Sequence, residues 1–128
     1  MRALNDTALL ALLDDDAPSG DLTTESLGIG VQPARLEFRA RQAMTVCASE
    51  EAARLFELTG ARARRIARSG SAVVAGELIL DAEGAAADLH RAWKAAQVLV
   101  EWASGIATAT AGIVAAANGV AVACTRKN

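Results

Sequence analysis

Apolar and polar positions alternate along residues 35–41. Leu36, Phe38 and Ala40 face one way, and Arg35, Glu37, Arg39 and Arg41 the other. That period of two predicts a half-buried strand within "ARLEFRARQAMTVCA". The period then changes. "SEEAARLFELTG" reads as a helix, with Ser49 as its N-cap, glutamates in the first turn and Gly60 closing it. "ARARRIARS" reads as a further strand and "AVVAGELILDAEG" as one or two more, with Gly76 marking a bend or bulge. A short helix precedes these, capped by Asn5 or Asp6 and ending near Leu13. "DDDAPSGDLTTESLG" follows it as a long loop.

From Ala85 to Asn118 the pattern is helical, with a break expected at Ser104-Gly105 and a C-cap at Asn118-Gly119. Residues 120–124 read as a closing strand. The fold class is therefore α+β up to about residue 103, followed by one αβ step. The division expected is 1–24 for the helix and loop, 25–103 for an α+β sandwich, and 104–128 for the step.

Composition narrows the class. Apolar residues make up 52% of the 128, much of it alanine, with two Phe, two Trp and no Tyr. Such a chain buries a real core, and its helices pack closely. The net charge of −2 gives no overall pull toward nucleic acid or anionic membrane. Its distribution is uneven: residues 1–30 hold six acids and one base, and residues 31–68 hold eight arginines against four glutamates. Complementary fields of this kind suit self-association. Arg62, Arg64, Arg65 and Arg68 lack the interleaved aromatics of a single-strand binder and read as a solvated strand face or a subunit contact. Cys47 and Cys124 read as reduced core residues of a cytoplasmic protein, and the cysteine and histidine spacing of a zinc site is missing. "LLALL" is too short for a signal or a membrane span.

Candidate chemistry sits late in the chain. Arg126 and Lys127 end the apolar run "VAVAC", and His90, Lys94, Gln97 and Glu101 form one polar stripe on the 86–103 helix. Leu89, Trp93, Ala96, Val100 and Ala103 form an adjoining apolar stripe. Such an arrangement is either a solvent edge or the wall of a wet pocket. His90 reads as a surface or capping residue, and Asp21 as a turn brace.

In their order and spacing, "SGDLTT" (19–24), "SGIATAT" (104–110) and "TRKN" (125–128) resemble the quinolinate phosphoribosyltransferase (nicotinate-nucleotide pyrophosphorylase) family. With "WKAAQ" the set is more similar to the family's ModD-like subgroup, associated with molybdate transport operons. The resemblance implies a hammerhead-like α/β sandwich followed by the first helix and strand of an α/β barrel. A whole barrel takes on the order of 200 residues or more. The chain would then be the N-terminal part of a magnesium-dependent pentosyltransferase that draws on phosphoribosyl pyrophosphate, and would be inactive alone.

The resemblance also implies site roles. Lys127 would be catalytic and Arg126 substrate-binding, cations that clamp a polyanion and offset charge on departing pyrophosphate. Lys94 would reach the acceptor in the partner subunit's site of a homodimer. The family's Glu-Arg pair falls on Trp93 and Lys94, and lysine lacks the guanidinium's bidentate fork. No metal ligand is expected in this stretch. The alternative is a non-catalytic interaction module or a carrier module. A carrier needs a modifiable lysine at a hairpin tip, and the two lysines here are Lys94 and Lys127.

Overall fold

The computed structural model describes residues 1–16 and 27–125. Among the described residues, three helices and five strands follow in the order α1 (Asp6–Asp16), β1 (Pro33–Arg39), β2 (Met44–Thr45), α2 (Ser49–Leu58), β3 (Arg62–Arg65), β4 (Ala72–Val73), β5 (Leu78–Ala85) and α3 (Ala86–Ala116). Strands β1, β5 and β3 form an antiparallel sheet in that order, and β2 pairs with β4 in a second. This is the α+β sandwich expected from the alternation of periods.

Strand periodicity divides the larger sheet by face. Leu80 and Ala82 of β5 are buried, and pack with Leu9 and Leu13 of α1, Leu55 and Phe56 of α2, and Leu89, Ala92 and Ala96 of α3. Phe38 meets Phe56 edge to face, with centroids 5.8 Å apart, an arrangement aromatic pairs favour. All three helices therefore share one face. The opposite face is a charge ladder. Asp81 accepts hydrogen bonds from Arg64 at 2.5 Å and Arg35 at 2.8 Å, and Arg62 pairs with Glu83. The Arg64 guanidinium, helped by Arg35 and opposed by burial, holds the Asp81 carboxyl below its ordinary range. Arg62, Arg64 and Arg65 of β3 are thus exposed. A smaller core of Ala40, Val46, Val73 and Ile79 lies between the two sheets.

Two glycines are fixed by geometry. Gly60 follows α2 at φ +104°, a conformation side chains resist. A Cβ on Gly84 would sit 3.1 Å from the Ala61 backbone, so β5 and the start of β3 approach as closely as they do because that side chain is missing.

Several expectations are corrected. α1 runs to Asp16, three residues further than the apolar pattern implied, while Asn5 does cap it, its Oδ1 accepting the Ala8 N–H at 2.9 Å. Ser49 is the first helical residue of α2 rather than its cap. The cap is Ala48, at φ 63° and without a side-chain bond. Glu50 supplies acceptors at that end instead, taking bonds from the Ser69 hydroxyl, the Ser69 N–H and Arg65. Residues 120–125 form no strand: they are exposed, and among the described residues no strand pairs with them. An isolated strand has no partner for its backbone groups. Cys124 is likewise exposed rather than part of the core, whereas Cys47 is half-buried, and both are free.

The largest correction is α3, which passes through Ser104-Gly105 without a break for 31 residues. One glycine costs a helix only about 1 kcal/mol relative to alanine. Here the neighbouring hydroxyls tie the helix down. Ser104, 2% exposed, accepts the Cys47 N–H at 2.9 Å and faces the Cys47 carbonyl at 3.3 Å. Thr108 accepts the Thr45 N–H at 2.9 Å and donates to the Ser104 carbonyl at 2.7 Å. Two helix hydroxyls thus satisfy backbone N–H groups of β2 and of the segment that follows it. The helix ends where expected, with Asn118 and Gly119 at positive φ.

By length and composition α3 could cross a membrane. Its first half instead supplies Leu89, Ala92, Ala96 and Val100 to the core. Its second half carries exposed Ile106, Ile113 and Val114.

Candidate functional site

Between β1 and residues 86–109 of α3 lies an open groove of about 1200 Å³. It exists because β1 is an edge strand and its inward residues, Leu36 and Phe38, are only half-covered by the helix. These two, with Leu89 and Val100, make an apolar floor. Trp93 forms part of the helix wall. Its indole is half-buried against the core, with the His90 ring edge-on at 6.2 Å and the Lys94 ammonium 5.2 Å from the ring centroid. A cation at that distance is attracted by the ring quadrupole.

The charged rim is mostly self-neutralised. Arg35 is committed to Glu37 and Asp81, and Arg39 to Glu37 and the Gly76 carbonyl. Gln97 donates to Glu101 at 2.9 Å. Arg41, in the turn between β1 and β2, lines the groove and has no hydrogen-bond or ion-pair partner among the described residues.

The structure divides the polar stripe read from the sequence. His90, Gln97 and Glu101 line the groove, while Lys94 is exposed beside it and rests on Trp93. Arg126 and Lys127 lie outside the described residues, as does Asp21. Trp93, which the sequence places in the apolar stripe, packs on the core and also forms a groove wall; its occurrence where the resembling family carries an acid is the signal the sequence offers. No group of three or more His, Cys, Asp or Glu able to hold a metal occurs among the described residues.

The fold, the groove and the hydroxyl-bearing "SGIAT" helix define a class: the chain belongs to the quinolinate phosphoribosyl transferase N-terminal domain family, whose profile matches residues 21–104. Two relatives, each named "Putative pyrophosphorylase ModD", are that of Rhodobacter capsulatus, 50% identical over all of this chain and 51% of its own length, and that of Pasteurella multocida, 36% identical over all of this chain and 47% of its own. The chain spans about half the length of the curated relatives it matches. Among solved structures, NadC from Streptococcus pyogenes superposes with a TM-score of 0.83 at 24% identity, over 92% of this chain and 44% of its own. The nicotinate-nucleotide pyrophosphorylase from Ehrlichia chaffeensis gives 0.83 at 20% identity, over 93% and 44%. At such identities the likeness is one of fold.

Proposed function

We propose that this chain is the N-terminal domain of a phosphoribosyltransferase-type pyrophosphorylase, inactive alone, which builds a cytoplasmic homodimer and closes one wall of the partner's acceptor pocket. The observation that carries the reading is the 50% identity, over the whole chain, to half of a protein named as a pyrophosphorylase. Residues 25–103 are the sandwich, and 104–128 lead into a barrel domain. Lys94 is lent across the dimer, and Arg126 and Lys127 are the cations at the barrel mouth that hold substrate and the departing pyrophosphate. The second half of α3 supports this division. Its exposed isoleucines and valine are surface that a following domain covers. Magnesium is expected of the parent. The described residues offer no cluster to hold it.

The experiment compares the chain alone with the chain fused to the C-terminal half of a ModD relative. Phosphoribosyl pyrophosphate, magnesium and a panel of aromatic carboxylates are supplied. Release of pyrophosphate by the fusion, lost in Lys127→Ala, is the expected result. Turnover by the 128-residue chain alone, above a Lys127→Ala control, overturns it.

A further inference from the structure

Strand β1 ends the larger sheet on one side, and no strand among the described residues pairs with its outer edge. In an antiparallel pair, every second residue bonds the neighbouring strand. The Ala86 N–H donates to the Gln32 carbonyl at 2.8 Å, in the register that sets Ala34 opposite Gly84, Leu36 opposite Ala82 and Phe38 opposite Leu80. The even-numbered residues of β1 therefore bond β5. The other side of β5 agrees: the Ile66 N–H donates to the Ile79 carbonyl at 2.9 Å, so its odd-numbered residues bond β3. The backbone groups of Arg35 and Glu37 are left pointing away from the sheet. Their side chains lie on the charged face, and Leu36 and Phe38, half-covered, lie on the helix face. Such an edge is a template for another strand.

The sequence of β1 specifies which strand fits. Laid antiparallel on a copy of itself, β1 forms ladder bonds only where outward residues meet outward residues. The two-fold alignments that keep Arg35 and Glu37 inside the ladder are centred on Arg35, Leu36 or Glu37. Centred on Arg35, two arginines meet. Centred on Glu37, two glutamates meet and Arg35 meets Arg39. Centred on Leu36, each Arg35 lies opposite Glu37 of the other copy, while Leu36 meets Leu36 and Phe38 meets Ala34 on the helix face. Opposite charges across a strand pair are favourable and like charges unfavourable. Pro33, which has no N–H to give, falls at the end of that ladder, where proline is tolerated.

We propose that β1 is the surface through which two copies of this chain pair, about a two-fold axis at Leu36. The product is one continuous sheet, ordered β3-β5-β1-β1-β5-β3. The proposal rests on the reading of this domain as the builder of a homodimer, and adds the contact and its register. Self-complementary charge at the edge selects a second copy as the occupant. Pairing also brings a second Leu36 and Phe38 beside the half-covered pair that floors the groove.

The test uses the chain carrying Ile106→Glu and Val114→Glu, which removes the bare half of α3 as a rival contact. Sedimentation is expected to show a concentration-dependent dimer. Glu37→Arg sets arginine against Arg35 of the other copy twice per dimer, and should weaken association by roughly tenfold. Single cysteines then read the register. In a Cys47→Ser/Cys124→Ser background, Leu36→Cys, Arg35→Cys and Glu37→Cys are each oxidised with glutathione disulfide, which takes up two electrons and two protons as two thiols join. Leu36→Cys is expected to cross-link. It meets its own copy as a non-hydrogen-bonded pair, with Cα atoms about 4.5 Å apart, within disulfide reach. Arg35→Cys and Glu37→Cys should not, because each faces a different residue of the other copy. Amide spectra confirm that every variant is folded. A monomer at high concentration, cross-linking at position 35 or 37 in preference to 36, or a dimer that links at none of the three, overturns the proposal. These readouts involve no turnover, so their failure is distinct from failure of the fused enzyme to release pyrophosphate.

Discussion

Ser104→Ala isolates what the hydroxyl latch between α3 and β2 contributes. The Ser104 Oγ is buried and accepts the Cys47 N–H at 2.9 Å. Alanine leaves that N–H without its partner in a region water reaches poorly. An unsatisfied buried donor costs about 1–3 kcal/mol. Alanine also suits a helix interior better than serine, which returns roughly 0.5 kcal/mol. The net expected loss is therefore about 0.5–2.5 kcal/mol. At a mid-range urea m-value of about 2 kcal/mol/M, the midpoint should fall by roughly 0.3–1.2 M. Hydrogen exchange at the Cys47 amide should accelerate in step. Thr108→Ala removes an equivalent bond to the Thr45 N–H, but Thr108 is half-exposed. Water can replace its hydroxyl, and the loss should stay below about 1 kcal/mol. An unchanged midpoint for Ser104→Ala, or a larger effect from Thr108→Ala, would show that the latch does not anchor the helix.

Other perturbations follow from the same geometry. Burial alone would raise the Glu50 carboxyl, but the Ser69 hydroxyl and N–H, its own backbone N–H and Arg65 outweigh it and lower it from 4.5 to about 2. The depressed folded-state value means the stabilisation is full above pH 4.5 and lost as pH falls through about 2. Glu50→Gln should cost on the order of 2–3 kcal/mol at pH 7 and converge with the parent near pH 2, as read by acid titration of circular dichroism. Gly84→Ala should destabilise by about 1–2 kcal/mol in thermal melts, because its Cβ meets the Ala61 backbone at 3.1 Å. Ile106→Glu with Val114→Glu should shift sedimentation of the isolated chain toward monomer if the bare half of α3 drives association. A parent chain that is already monomeric at high concentration would refute that.

The sequence by itself determined the local grammar. Alternation placed β1 because a strand's successive side chains face opposite sides. The apolar stripe placed Leu89, Ala96 and Val100 in the core, and Asn118-Gly119 stopped α3 where positive φ is tolerated. The ordered motifs determined the family, since their spacing survives without any coordinate. Tertiary structure decided what depends on contacts distant in sequence. Whether α3 breaks at Gly105 was set by Cys47 and Thr45, about 60 residues earlier, whose backbone N–H groups the Ser104 and Thr108 hydroxyls capture. Whether residues 120–124 form a strand depended on a neighbour to share hydrogen bonds with, which a period of two cannot reveal. The division of the polar stripe, with His90 and Gln97 in the groove and Lys94 beside it, turned on where an edge strand came to rest. Helical spacing fixes which residues share a face. Only packing fixes what that face meets.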